Sequence, residues 1–184
     1  SLVTDYNTIF EAEGENNVES VFEIQYTDVE GAGFGCLQCS EGNVAVGFSG
    51  IRNYEGPDFT SGFSFNVPVQ EAYDAFDNDD QRRDIAILDI NAWAASTGAT
   101  FGTGNEHTGY FNRKYIPRTR SSNALPDLNL TNPNNYRAIR YADVLLMAAE
   151  ANNRGGLNES KAQEYLNQVR RRAFGDELHD VTAS

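Results

Sequence analysis

One stretch governs what this chain can fold into: residues 136–174 hold two helical patterns of different kinds, separated by a pair of glycines. From Tyr141 to Ala149 nearly every residue is apolar or small, which leaves little room for a solvated face, so this helix is expected to be buried on several sides. In the second pattern Ala162, Tyr165, Leu166, Val169 and Ala173 recur at three and four and make one apolar stripe. Charged Lys161, Glu164, Arg170 and Arg171 occupy the opposite face. Gly155-Gly156 ends the first helix, and Asn158 before Glu159 offers a side-chain oxygen to cap the second. The pair reads as an αα-hairpin whose core includes Leu145 and Leu166, each central in its stripe.

The wording of this hairpin is more specific than its periodicity. Arg140 to Leu146 reads Arg-Tyr-Ala-Asp-Val-Leu-Leu, Glu150-Ala151 closes the same helix, and Leu166 to Ala173 reads Leu-Asn-Gln-Val-Arg-Arg-Arg-Ala. Three more stretches follow the same pattern in order: Asp5-Tyr6 to Phe10 with Glu15 to Tyr26; Glu71-Ala72-Tyr73 with Asp80-Gln81-Arg82-Arg83; and Arg113-Lys114-Tyr115. Together they resemble the SusD/RagB family of surface nutrient-binding lipoproteins. That resemblance implies a mainly α fold: tetratricopeptide-like helical hairpins with long irregular ligand-binding loops and a few short strands. It implies that residues 1–184 are part of a single domain and a middle-to-late fragment of a longer protein, with a loop-rich ligand-binding region at 1–135 and the hairpin at 136–174. The family's lipidated cysteine, early helices and late Glu-Gly-x-Arg stretch have no counterpart here. By resemblance, the intact protein would capture oligosaccharide or polysaccharide at the outer-membrane surface, held there by a lipid anchor. It would pass the glycan to a TonB-dependent transporter, bind without catalysis and need no cofactor.

Outside the hairpin the pattern is less regular. Leu2, Tyr6, Ile9 and Phe10 share one helical face, and Val21 to Tyr26 alternates as a half-buried strand does, apolar side inward. From Gly31 to Asn66 glycine, serine and aromatics are interleaved without period, a length of irregular chain that is more often functional than idle. Pro68 stands where a helix begins, with Val69, Ala72, Tyr73 and Phe76 as its apolar face. A short strand around Ile85 to Ile90 leads to a second glycine- and aromatic-rich loop, Trp93 to Phe111, and Ser121 to Asn135 reads as an extended connector.

Charge narrows the partners. Lys and Arg number 14 against 27 acids, a formal charge of −13, which disfavours a phosphate backbone and hence nucleic acid. Hydrophobic content of 40% and aromatic content of 11% argue against disorder.

Most chemical motifs fail on inspection. Cys36-Leu37-Gln38-Cys39 has dithiol spacing but opens into a loop, so it is read as a loop disulfide or a pair of inert thiols. His107 and His179 are too far apart to complete a zinc site with it and look like exposed surface histidines. Asp77-Asn78-Asp79-Asp80 starts like a calcium loop, but Arg82 and Leu88 stand where Gly and Glu are needed; a pairing of Asp80 with Arg82 or Arg83 is expected instead. Gly31-Ala32-Gly33-Phe34-Gly35 lacks the context of a phosphate cradle, and no nucleophile elbow occurs.

Sugar-binding chemistry is what the irregular segments do offer. Sugars present apolar CH faces and rings of hydroxyls, so their sites pair a flat aromatic ring with planar polar groups. Arg52-Asn53-Tyr54 with Asp58, and Asn91-Ala92-Trp93, are the two places where those types cluster in loop-like sequence. Trp93 and Tyr54 are the expected stacking rings, with Arg52, Asn53, Asp58 and Asn91 as hydrogen-bonding partners. The alternatives are a tetratricopeptide-like interaction scaffold without a glycan site, or a glycan-processing enzyme whose carboxylates the sequence does not single out.

Overall fold

A computed structural model describes residues 1–31, 33–118, 122 and 126–182. Its strands are β1 (Ser20–Ile24), β2 (Ile51–Arg52), β3 (Ser61–Gly62), β4 (Ile87–Asp89), β5 (Tyr110–Asn112) and β6 (Tyr136–Arg140). Its helices are α1 (Val44–Ser49), α2 (Gln70–Asp74), α3 (Arg82–Ala86), α4 (Ile90–Thr97), α5 (Tyr141–Arg154) and α6 (Glu159–Phe174). Helix dominates, and the strands among the described residues pair only two by two: β1 with β6 and β4 with β5 antiparallel, β2 with β3 parallel.

The hairpin is where periodicity places it. Asn158 accepts from the Lys161 N–H at 2.9 Å, and Ala142, Leu145 and Val169 are buried between α5 and α6 with Tyr141, Tyr165 and Leu2 against them. The all-round burial expected of α5 does not occur within this chain: Leu146 is 40% and Met147 55% exposed, because α6 covers one side of the helix only. Leu166 is half-buried and borders the groove between the helices with Leu146 and Ala149, so it is a rim residue rather than a core one.

β1 corrects a second expectation. Val21, Phe22 and Ile24 are exposed, whereas Glu19 and Glu23 are buried. Irregularities in the register, between Ser20 and Phe22 and again between Phe22 and Glu23, break the alternation that an ideal strand would impose. Glu19, fully buried, then has three tasks: it accepts from the Val3 N–H, pairs with Arg140 at 3.3 Å and pairs with Arg172. Its carboxylate thereby ties the amino-terminal segment, the β6–α5 junction and α6 together. At that junction the Arg140 N–H donates to Asp143 at 2.8 Å, so strand passes into helix with no intervening loop.

Between β1 and the hairpin lies the main apolar core: Ile51, Tyr54, Phe59, Leu88, Ile90, Ala99, Phe111 and Ile116. The aperiodic stretch 31–66 contains a short helix after all, α1, started by Asn43, whose side chain accepts from the Val46 N–H at 3.4 Å. Its end passes so close to β3 that a Cβ on Gly62 would lie 2.4 Å from the Cα of Gly50, so glycine alone fits. Pro68 precedes α2 rather than opening it; Val69 is exposed, while Ala72, Tyr73 and Phe76 pack on Ala86, Ile87 and Tyr110. Part of the expected connector, residues 121 and 123–125, lies outside the described residues, as does Ala32 of the glycine run. Its later part is interior: Leu130, Thr131 and Asn132 are completely buried.

The remaining motifs resolve locally. Cys36 and Cys39 form a disulfide around a single 3-10 turn. Asp80 is buried and takes a bidentate grip from Arg82, while Arg83 pairs with Asp84. Neither histidine is the exposed residue expected: His107 is half-buried between Phe101 and Phe111, and the His179 ring stacks on Phe174 with centroids 3.9 Å apart.

Candidate functional site

Trp93 does not sit in a loop, as its surroundings in sequence suggested, but on the first turn of α4. Asp89 ends β4 and caps the helix at once, accepting from the N–H groups of Asn91 and Ala92 at 3.0 Å each. β5 holds β4 from the other side, and the Ile90 N–H donates to the Gly109 carbonyl at 3.0 Å. The start of α4 is therefore fixed by strand pairing, and the indole inherits that position.

The indole is also held by its own nitrogen. Trp93 Nε1–H donates to the Tyr54 hydroxyl at 2.9 Å, and that hydroxyl donates to the Pro57 carbonyl at 2.7 Å. Burial, more than the nearby charge of Asp58, raises the Tyr54 pKa, so the phenol stays protonated and able to donate. Phe59 closes the cluster, 5.9 Å from the Tyr54 ring and 5.3 Å from the Trp93 ring. With only 6% of its surface exposed, Tyr54 has no face to offer a ligand. Its hydroxyl instead holds the Trp93 indole N–H.

Cations flank the aromatic wall. The Arg113 guanidinium lies 6.0 Å from the Trp93 ring centre and donates to the Asp84 carbonyl at 2.9 Å. Arg118 lies 5.0 Å from Phe59 and grips Glu11 with two hydrogen bonds of 3.0 Å. Burial would raise the Glu11 carboxyl, but the bonds and charge of Arg118, helped by Arg113 and Arg137, outweigh it and hold the group below its ordinary value. Burial, then the charge of Arg118, lowers the pKa of Arg113.

Two depressions open beside this wall and share Arg113. One, of about 400 Å³, is bordered by Glu11, Asp58, Phe59, Arg113 and Arg118. The other, of about 280 Å³, is bordered by Tyr73, Asp84, Asp89, Trp93, Ser96 and Arg113. Tyr73 stacks on Tyr110 at 4.8 Å and donates to Asp84 at 3.1 Å. Each depression thus combines an aromatic surface with carboxylates and guanidinium groups fixed by other bonds, the combination that reads hydroxyls around an apolar ring.

Of the residues expected from sequence, Trp93 and Asp58 border these depressions, Asp58 with its backbone at φ +65°. Asn53 and Asn91 are exposed nearby, their side chains lying against Gly102 and Gly109. Arg52 faces a third cavity, bordered by Phe65 and Glu106. The two depressions also take in Arg113, Arg118, Glu11, Phe59 and Tyr73, which sequence reasoning did not single out. The only signal for Arg113 was its place in Arg113-Lys114-Tyr115; Arg118 and Glu11, 107 residues apart, carried none. Among the described residues no group of three or more His, Cys, Asp or Glu could hold a metal ion.

Comparison with known proteins bears on this arrangement. The model of the SusD family matches residues 8–184. SusD-like protein P2 of Formosa agariphila is 30% identical over 177 residues, which make up 94% of this chain and 34% of that protein. A solved laminarin-binding SusD-like protein is similar at 34% identity and TM-score 0.80, over 94% of this chain and 38% of its own. Surface glycan-binding protein A from Bacteroides thetaiotaomicron, solved in complex with laminarihexaose, is similar at 29% identity and TM-score 0.79, over 99% of this chain and 40% of its own. The chain therefore spans about a third to two fifths of the length of these relatives.

Proposed function

The chain belongs to the SusD family, and from that premise we propose that it binds a neutral oligosaccharide of the laminarin type at the wall made by Trp93 and Phe59. The observation that carries this reading is the double anchoring of Trp93, by its indole N–H to Tyr54 and by its place on the capped first turn of α4. A ring held on two sides binds without first losing rotamer freedom. Arg113, Asp58 and Asp84 supply donors and acceptors around it. The laminarin and laminarihexaose in the descriptions of two relatives support the choice of glycan.

In this reading residues 1–135 carry the glycan contacts and the hairpin at 136–174 is scaffold within the same domain; the pairing of β1 with β6 across that boundary supports one unit. The intact protein binds glycan without cleaving it at the outer-membrane surface, attached through a lipid, and hands it to a TonB-dependent transporter. No helix among the described residues is long and apolar enough to cross a membrane.

Isothermal calorimetry with laminarihexaose tests the reading. Binding is expected, and Trp93→Ala should weaken it by about 2 kcal/mol or more with little change in melting temperature. Unchanged affinity in that variant removes Trp93 from the site. Release of new reducing ends during incubation would replace the binding protein with an enzyme, and retention of the transporter on immobilised protein checks the hand-off.

A further inference from the structure

The segment that carries Tyr54 also carries Arg52, and Arg52 opens into a separate cavity of about 320 Å³. Its backbone N–H donates to Ser64 Oγ at 2.9 Å and its Nη2 to the Phe63 carbonyl at 2.7 Å, so the guanidinium is held from one side. Its Nε is different: it is buried and has no hydrogen-bond partner. Gly104 lies against it: a Cβ there would stand 3.5 Å from that nitrogen.

Beside it stands Phe65, 59% exposed although its ring stacks on Phe63 at 5.4 Å and leans on Phe48 at 5.6 Å. The Arg52 guanidinium lies 6.0 Å from the Phe65 centre. Ser64 and Glu106, both bordering the cavity, hold left-handed backbones at φ +58° and +56°. An unpartnered buried donor and two such backbones each cost free energy, and a ligand that satisfies the donor recovers part of it.

The cavity identifies its ligand by class. Asn105 and Glu106 border it with Arg52, so its edge carries both signs and an amide. An anion would face Glu106 and a chain of formal charge −13; a cation would face Arg52. A neutral ligand with hydroxyls that donate and accept, and with an apolar face for Phe65, meets neither obstacle.

We propose that this cavity is a second oligosaccharide subsite, with Phe65 as its stacking ring and Arg52 Nε donating to a sugar hydroxyl. The proposal rests on the glycan-binding reading above and extends it by a second point of attachment. One glycan chain reaching both rings gains the second contact as an intramolecular step.

One titration separates the two sites. The Trp93 indole N–H and the Arg52 Nε–H are followed together in 1H–15N spectra of the full chain as laminarihexaose is added; Arg52→Lys identifies the second signal by its loss. Both signals are expected to move. In Phe65→Ala the Arg52 response should vanish, the Trp93 response should persist, and affinity should fall about tenfold, while Phe65→Tyr should restore both response and affinity. The Trp93 signal of the free variant, unmoved from wild type, shows that it folds. A moving Trp93 signal beside a silent Arg52 signal overturns the subsite and leaves the glycan reading standing. Movement of Arg52 alone supports the subsite and removes Trp93 from the primary site. Two silent signals overturn both.

Discussion

The hairpin and the aromatic wall are held together by opposite kinds of contact. In α5–α6 the partners Ala142, Leu145 and Val169 are brought together by helical repeat and a short turn, and their burial follows from their place in the repeat. Around Trp93 two of the contacts that shape the wall join distant parts of the chain: Trp93 to Tyr54 over 39 residues, Arg118 to Glu11 over 107. The first design gives a scaffold that tolerates change at its rim. The second gives a site whose geometry depends on a few polar contacts, so small changes should act on binding more than on stability.

That contrast is tested first at the buried carboxylate that ties the hairpin to the amino-terminal segment. Glu19→Ala leaves the guanidinium groups of Arg140 and Arg172 without their buried partner, and loss of one member of a buried pair costs about 3–5 kcal/mol. Chemical denaturation should record that loss; a cost near that of a surface change would show the hairpin to be independent of the amino-terminal segment. Within the hairpin, Leu145→Ala should cost about 2–5 kcal/mol in the same measurement. Leu166→Ala, at the half-exposed groove, should cost clearly less, and equal costs would place Leu166 in the core after all.

At the wall the expected effects are smaller and of another kind. Tyr54→Phe keeps the ring but removes the hydroxyl between Trp93 and Pro57, worth about 0.5–1.5 kcal/mol of stability. It should also broaden the fluorescence anisotropy distribution of the single tryptophan and weaken laminarihexaose. Unchanged anisotropy would mean that packing on Phe59, not the hydrogen bond, aims the indole.

The smallest effect concerns the segment after α6. The His179 pKa is raised, first by its hydrogen bond with Asp176 and further by the charge of Asp79. A raised folded value means that protonation favours the folded contacts: their contribution is complete below the unfolded value of about 6.5 and is lost as pH rises through the folded value. The protection of the amides at residues 176–181, relative to their intrinsic exchange rate at each pH, should therefore fall between mildly acidic and alkaline pH, and Asp79→Asn should lower the pH at which it does so. Protection without that step would show that stacking on Phe174 suffices.

How far the sequence could be read follows the same division. The hairpin, the Asn158 cap, the Asp80–Arg82 pair and family membership were legible because each is written within a few residues. β1 was misread on its faces although its position was right: alternation marks a strand, but register irregularities and the need of Arg137, Arg140 and Arg172 for buried carboxylates turned the acids inward. Trp93 was singled out as the only tryptophan, yet its helix was hidden, since α4 is set by the Asp89 cap and the β4–β5 pair rather than by an apolar repeat.

By itself, then, the sequence determined the helical scaffold, because a 3.6-residue repeat and its caps are local properties that any copy of these residues carries. The tertiary structure alone decided that Tyr54 is buried with its hydroxyl on the Trp93 indole, that Arg113 and Phe59 stand beside that ring, and that Arg52 faces Phe65 elsewhere. Those roles depend on which face of each side chain the rest of the chain covers. At these positions burial is a property of the whole packing, and no repeat along the chain encodes it there.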